Sequence, residues 1–149
     1  GVLSRISGLF SGRGFNIESL NVAETNDSGI SRMTIVTRGD GKKIEQVTKQ
    51  LNKLVDVIKV IDLTEEHFVD RELILVKMNA EARVREEILR IVDIFRAKVI
   101  DVNHDSYTVE ITGDEGKTKG FLDLLKPLGI KEVVRSGRIA ISRGIKPIN

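Results

Sequence analysis

Residues 73–111, LILVKMNAEARVREEILRIVDIFRAKVIDVNHDSYTVEI, change their hydrophobic period from strand to helix and back to strand. Leu73 to Met78 is apolar apart from Lys77 and reads as a buried strand. Val84, Ile88, Ile91, Val92 and Phe95 recur at helical spacing and form the core stripe of a helix. Ala97 to Val102 reads as a strand, Asn103-His104-Asp105 as a turn, and Tyr107, Val109 and Ile111 alternate on a further strand. Downstream, Gly113 and Asp114 precede a helix that carries Phe121, Leu122 and Leu125 and is expected to stop at Pro127 and Gly129. Ile130 to Arg135 and Ile139 to Ile141 are expected to pair with each other across Ser136-Gly137. The order is βαββαβ with one extra short strand, the ferredoxin-like plan of two helices on one face of an antiparallel sheet.

Working back toward Gly1, most of the same layout recurs. Val2, Leu3, Ile6, Leu9 and Phe10 mark an amphipathic helix ended by Gly12 and Gly14. Ile17 to Glu24 reads as a strand with Leu20 and Val22 on one face, Asn26-Asp27-Ser28-Gly29 as a turn, and Ile30 to Arg38 as a second strand. Gly39-Asp40-Gly41 breaks the chain before a helix carrying Ile44, Val47, Leu51 and Leu54, and Val55 to Leu63 reads as a short apolar strand. The fold class is therefore α+β: two tandem ferredoxin-like domains, residues 1–63 and 71–149, joined by a solvated linker at 64–70. The plan places its first strand in the middle of the sheet, and none precedes the first helix. We expect roughly a dozen residues ahead of Gly1, enough for that strand at ~3.3 Å per residue. Helices cover only one face of such a sheet, so pairing with a second copy is expected.

Composition narrows the chemistry. Hydrophobic residues make up 40% and charged residues 31%, the formal charge is +2, and acids and bases alternate, so neither half offers the basic face of a nucleic-acid binder. There is no Cys or Trp. His67 and His104 are far apart and neither has metal-ligand spacing. No apolar run is long enough to span a bilayer, no signal peptide opens the chain, and a cytoplasmic location is the expectation. No G-x-S-x-G elbow is present. Gly12-Arg13-Gly14 stands after a helix, where a dinucleotide fingerprint needs strand before helix and a third glycine, so it reads as a helix stop. Glu65-Glu66 and Asp114-Glu115 read as linker and capping charge. Ser142-Arg143-Gly144 reads as a tail turn.

One loop carries two readings. Asn16, in Arg13-Gly14-Phe15-Asn16, is either a turn residue whose side chain caps local backbone, or an amide presented beside the helix start at Gly1-Val2-Leu3. A helix start offers unpaired N–H groups to a carboxylate, so the two together could hold a zwitterionic amino acid.

Several stretches together resemble the regulatory small subunits of acetohydroxyacid (acetolactate) synthase, an ACT-domain family. They are Gly1-Val2-Leu3-Ser4-Arg5, Gly8-Leu9-Phe10, residues 13–20 (RGFNIESL), Ser31-Arg32-Met33-Thr34 and residues 46–54 (QVTKQLNKL). In the second half they are Arg71-Glu72-Leu73, Leu75-Val76-Lys77, Ile94-Phe95-Arg96-Ala97, Ile100-Asp101-Val102, Thr112-Gly113-Asp114, Val134-Arg135-Ser136-Gly137 and Ser142-Arg143-Gly144. The resemblance implies that the first half is an ACT domain that dimerises and binds valine, or the related leucine or isoleucine, between protomers. It implies no catalytic residue, metal or cofactor in this chain. Its partner is a large catalytic subunit carrying thiamine diphosphate, Mg²⁺ and FAD, which this chain activates and makes sensitive to feedback inhibition. Carried over by position, the effector site is Gly1, Val2, Leu3, Asn16 and Ile17. Arg71, Glu72 and Arg96 read as ion pairs that support the fold. The alternatives are a free-standing ACT-type sensor of another pathway and an enzyme in its own right, which the missing catalytic constellation disfavours.

Overall fold

The computed structural model describes residues 1–145; residues 146–149, the end of the expected second domain, lie outside the described residues. In chain order the elements are α1 (Val2–Gly12), β1 (Asn16–Glu24), β2 (Ser31–Arg38), α2 (Gly41–Asn52), β3 (Phe68–Asn79), α3 (Arg85–Ile94), β4 (Lys98–Val102), β5 (Ser106–Gly113), α4 (Glu115–Gly129), β6 (Ile130–Arg135) and β7 (Ile139–Ser142). The chain is α+β and its described residues divide into two ferredoxin-like units, Gly1–Phe68 with residues 141–145, and Val69–Ala140.

In the second unit the sheet order is β4-β5-β3-β6, all antiparallel pairs, with β3 at the centre. Even-numbered residues of β3 point into the core: Glu72, Ile74, Val76 and Met78 are buried, while Leu73 and Lys77 are exposed. Ile88, Ile91 and Val92 of α3 and Phe121 and Leu125 of α4 close over that face. Phe95 and Phe121 meet edge to face at 5.4 Å. Asp114 caps α4 by accepting the Lys117 N–H at 2.9 Å, as Asp40 caps α2 through the Lys43 N–H at 2.9 Å; each such cap contributes about 1 kcal/mol.

The structure corrects the sequence reading at four places. First, β7 does not pair with β6; both hydrogen-bond to β3. β3 is twelve residues long and accommodates them one after the other. At the jog between them the Ser136 N–H donates to the Leu73 C=O at 3.0 Å, and the Leu73 N–H to Ser136 Oγ at 3.1 Å. Second, β3 begins at Phe68, inside the segment expected to be linker. Third, α4 runs through Pro127 to Gly129. Pro127 and Asp123, four residues earlier, both lie on the exposed face, where water can take the carbonyl that a proline cannot satisfy. Fourth, Val55 to Leu63 forms no strand. Leu54, Val57, Val60 and Leu63 are half-buried, every third residue, where a pleated strand would alternate. Val55 and Ile58 stay 94% and 79% exposed.

The first unit is thus α1, the β1-β2 hairpin and α2. Ile6, Phe10, Phe15, Val47 and Leu51 form its buried cluster, and Val2, Ile17, Met33, Ile35, Ile44 and Val60 pack against it.

The three expected ion-pair residues of the second half behave differently. Glu72, 4% exposed, accepts from Arg135 Nη2 at 2.6 Å and Nε at 3.1 Å. Among the described residues Arg71 donates only to the neighbouring Asp70 C=O, at 2.7 Å. The Arg96 side chain has no ion pair or hydrogen bond among the described residues, so its expected role as a supporting ion pair is wrong. Asp70 instead takes Arg138, which donates through Nη2 at 2.9 Å and Nε at 3.1 Å.

Removing the guanidinium that faces Glu72 leaves a buried carboxylate without its counter-charge. Arg135→Ala should cost about 1–3 kcal/mol, in the lower part of the range for broken buried pairs because Arg135 is half-exposed. Glu72→Gln, which keeps an acceptor, should cost less. Urea unfolding of the two variants checks the order, and equal midpoints would show that the charge contributes nothing.

Candidate functional site

Asn16 is placed by the residue before it. α1 ends with the Phe15 N–H bonded to the Phe10 C=O at 3.0 Å and the Gly14 N–H to the Ser11 C=O at 3.2 Å. This is the Schellman arrangement, and Gly14 takes the left-handed residue at φ 75° that the arrangement requires. Phe15 is buried and meets Phe10 edge to face at 5.9 Å. Its ring lies directly on Gly39: a Cβ built there would stand 1.9 Å from Phe15 Cε1. Gly39 was read in sequence only as a chain break and Phe15 only as part of a loop. Close packing of a ring on backbone has no periodic signal, so nothing in the hydrophobic pattern pairs them.

Asn16 follows as the exposed first residue of β1, opposite Arg38, and its backbone C=O accepts from Thr37 Oγ1 at 2.8 Å. Its side-chain amide makes no hydrogen bond among the described residues, so the local cap expected of a turn asparagine is not formed. Ile17 packs on the buried cluster. After it the register shifts between Ile17 and Ser19. Glu18 at this irregularity pairs with Arg38.

At the other end of α1, Gly1 is the N-cap and no side chain satisfies the first turn. Gly1 is exposed and its C=O accepts the Arg5 N–H at 3.2 Å. Val2 packs on the buried cluster and Leu3 is half-exposed. The five residues therefore share one core but not one place. Phe15 is tied to the last turn of α1, and at 1.5 Å per residue Gly1 lies about 14 Å along the axis from Phe10. Within one chain the helix start and Asn16 are not neighbours. A ligand touching both needs Gly1 from one chain and Asn16 from another.

A shallow cleft lined by Arg13, Gln46, Lys49, Gln50, Asn52 and Lys53 lies at the C-terminal ends of α1 and α2. Its cations face the negative helix ends, and none of the five expected site residues lines it. Among the described residues no cluster of three or more His, Asp or Glu is set to hold a metal, and no helix is long and apolar enough to cross a membrane.

Two family models match this chain: an acetohydroxyacid synthase small-subunit-like ACT domain over residues 1–59, and the small subunit of acetolactate synthase over residues 71–144. An acetolactate synthase small subunit from Aquifex aeolicus is 54% identical over 144 residues, 96% of this chain and 75% of that protein. A probable acetolactate synthase small subunit from Archaeoglobus fulgidus is 52% identical over 146 residues, 98% of this chain and 91% of that protein. The crystal structure of the acetolactate synthase small subunit from Thermotoga maritima superposes with a TM-score of 0.86 at 40% identity, covering 98% of this chain and 91% of that one.

The wedge of Phe15 on Gly39 sets the position of the loop. Gly39→Ala should displace the ring and cost about 1–3 kcal/mol through overpacking. Thermal unfolding tests this, and a midpoint equal to wild type would mean that Phe15 has room to move.

Proposed function

The chain belongs to the acetolactate synthase small-subunit family, and from that membership we propose that it is the non-catalytic regulatory subunit of such a synthase. It binds a separate catalytic chain in the cytoplasm, raises its activity and makes it subject to feedback inhibition by valine. The observation that carries this reading is the similarity to small subunits over nearly the whole chain, through both units. The catalytic chain would carry thiamine diphosphate, Mg²⁺ and FAD and condense pyruvate with pyruvate or 2-oxobutyrate.

Valine would bind between two first units paired as a homodimer. Gly1, Val2 and Leu3 of one protomer offer the uncapped N-terminus of α1 to the carboxylate. Asn16 of the other protomer offers an amide with no competing local bond, and Ile17 backs it. Burying the isopropyl group contributes roughly 1.5–3 kcal/mol. One methylene more or less changes binding by about 1–3 kcal/mol, so leucine and isoleucine would bind more weakly. The separation of Gly1 and Asn16 along α1 supports the two-chain arrangement.

Two outcomes are expected. The purified chain alone should form no acetolactate but should stimulate the matching catalytic subunit; acetolactate formed without that subunit would overturn the reading. Asn16→Ala should weaken valine inhibition of the reconstituted enzyme by roughly 10- to 150-fold, the equivalent of losing a hydrogen bond to a charged group, with stimulation retained. The two-chain site adds a sharper form of this second test. Gly1→Glu places a carboxylate where the ligand's own should lie, so each single variant should be resistant. Mixed dimers of Gly1→Glu and Asn16→Ala should regain one intact site and part of the sensitivity. Mixed dimers as resistant as the parents would place both residues in one chain's site.

A further inference from the structure

The two helices that follow the same position in the two units, α1 and α3, end in the same way. In α3 the Ala97 N–H bonds to the Val92 C=O at 2.8 Å and the Arg96 N–H to the Asp93 C=O at 3.1 Å. The pattern matches the pair of bonds that Phe15 and Gly14 make at the end of α1. Both arrangements put one residue in the left-handed region, and at α1 it is Gly14, at φ 75°. At α3 it is Arg96, at φ 54°, the only non-glycine residue with positive φ among those described. A side chain there is strained by its own Cβ, and glycine is the residue that relieves it.

Nothing among the described residues accounts for an arginine at that position. Arg96 is exposed, and its guanidinium has no partner among the described residues. A cation does favour a helix C-terminus. The end of α1 has that too, with Arg13 at the cap and glycine immediately after it, so the dipole does not require the charge on the strained residue. Two residues before Arg96, Ile94 in the last turn of α3 is 67% exposed.

We propose that Arg96 is a docking residue for the catalytic subunit: a strained backbone displays its unpaired guanidinium, beside exposed Ile94, to a carboxylate on that chain. This rests on the reading of the chain as a small subunit, whose one required partner is the catalytic chain. A guanidinium presents a rigid fork of donors suited to a carboxylate, and apolar neighbours that are covered on docking would shield the pair from water.

The test measures acetolactate formation by the catalytic subunit against increasing full-length small subunit, for wild type, Arg96→Gly, Arg96→Asn and Arg96→Lys. Wild type that fails to stimulate sinks the regulatory reading itself, independently of Arg96. With wild type active, the proposal expects Arg96→Gly and Arg96→Asn to need at least tenfold more chain for half-maximal stimulation. Arg96→Lys should fall between them and wild type. Thermal melting separates docking from folding: Arg96→Gly should melt at or above wild type. Arg96→Gly with an unchanged half-saturation overturns the proposal. So does Arg96→Gly melting below wild type, because the residue is then not strained, and so does a loss of self-association by sedimentation that accounts for the weaker stimulation.

Discussion

A strand exists only if something beside it takes its backbone N–H and C=O groups, and in the second unit that condition turns on a single central strand, β3. In the second unit β5, β6 and β7 all hydrogen-bond to β3, and β4 is held through β5. The alternation of β3 then decides which side chains meet α3 and α4. In the first unit the paired strands among the described residues are β1 and β2. The hairpin β1-β2 survives because each strand is the other's partner. Val55 to Leu63, which has the composition of a buried strand, runs on without pleated burial.

This is also why the second unit was the more legible in sequence. Its strand and helix periods are long, its α4 is capped by Asp114 where the pattern suggests, and its core residues are those the spacing selects. What sequence periodicity could not carry was partnership. Ile130 to Arg135 and Ile139 to Ile141 look like a hairpin because a Ser-Gly step separates them. Only the length of β3 reveals that one strand can serve both. Val55 to Leu63 looks like a strand because composition reports what a segment could bury, not whether a neighbour is there to bond it. Pro127 looked like a stop because the rule against proline concerns the lost N–H, and that loss costs little where the freed carbonyl faces water.

The expected site was legible in a different sense. Its residues came from a resemblance, and the bottom-up reading of Asn16 left two roles open. In the structure the amide caps no local backbone among the described residues. The wedge of Phe15 on Gly39, which holds Asn16 at the end of α1, could not be seen in sequence because it joins residues far apart without any period. The distance along α1 bears on the proposed ligand of Gly1 and Asn16: if it is held by two chains, its binding would be coupled to how those chains pair.

That coupling sets the energetic scale on which such a device can work. A ligand shifts an equilibrium only by the difference in its affinity for the two states. A tenfold difference needs about 1.4 kcal/mol. Burial of an isopropyl group contributes roughly 1.5–3 kcal/mol, and each hydrogen bond to a charged end about 1.5–3 kcal/mol. A small rotation between two paired chains that moved Asn16 away from the ligand, while leaving the helix start in place, would forfeit one such bond. One bond is already enough for a tenfold response. Neither chain needs to unfold, and the buried cluster under Val2 and Ile17 can stay rigid. On this scale a switch of the proposed kind would require only that two rigid halves of a site belong to different chains, as proposed for Gly1 and Asn16.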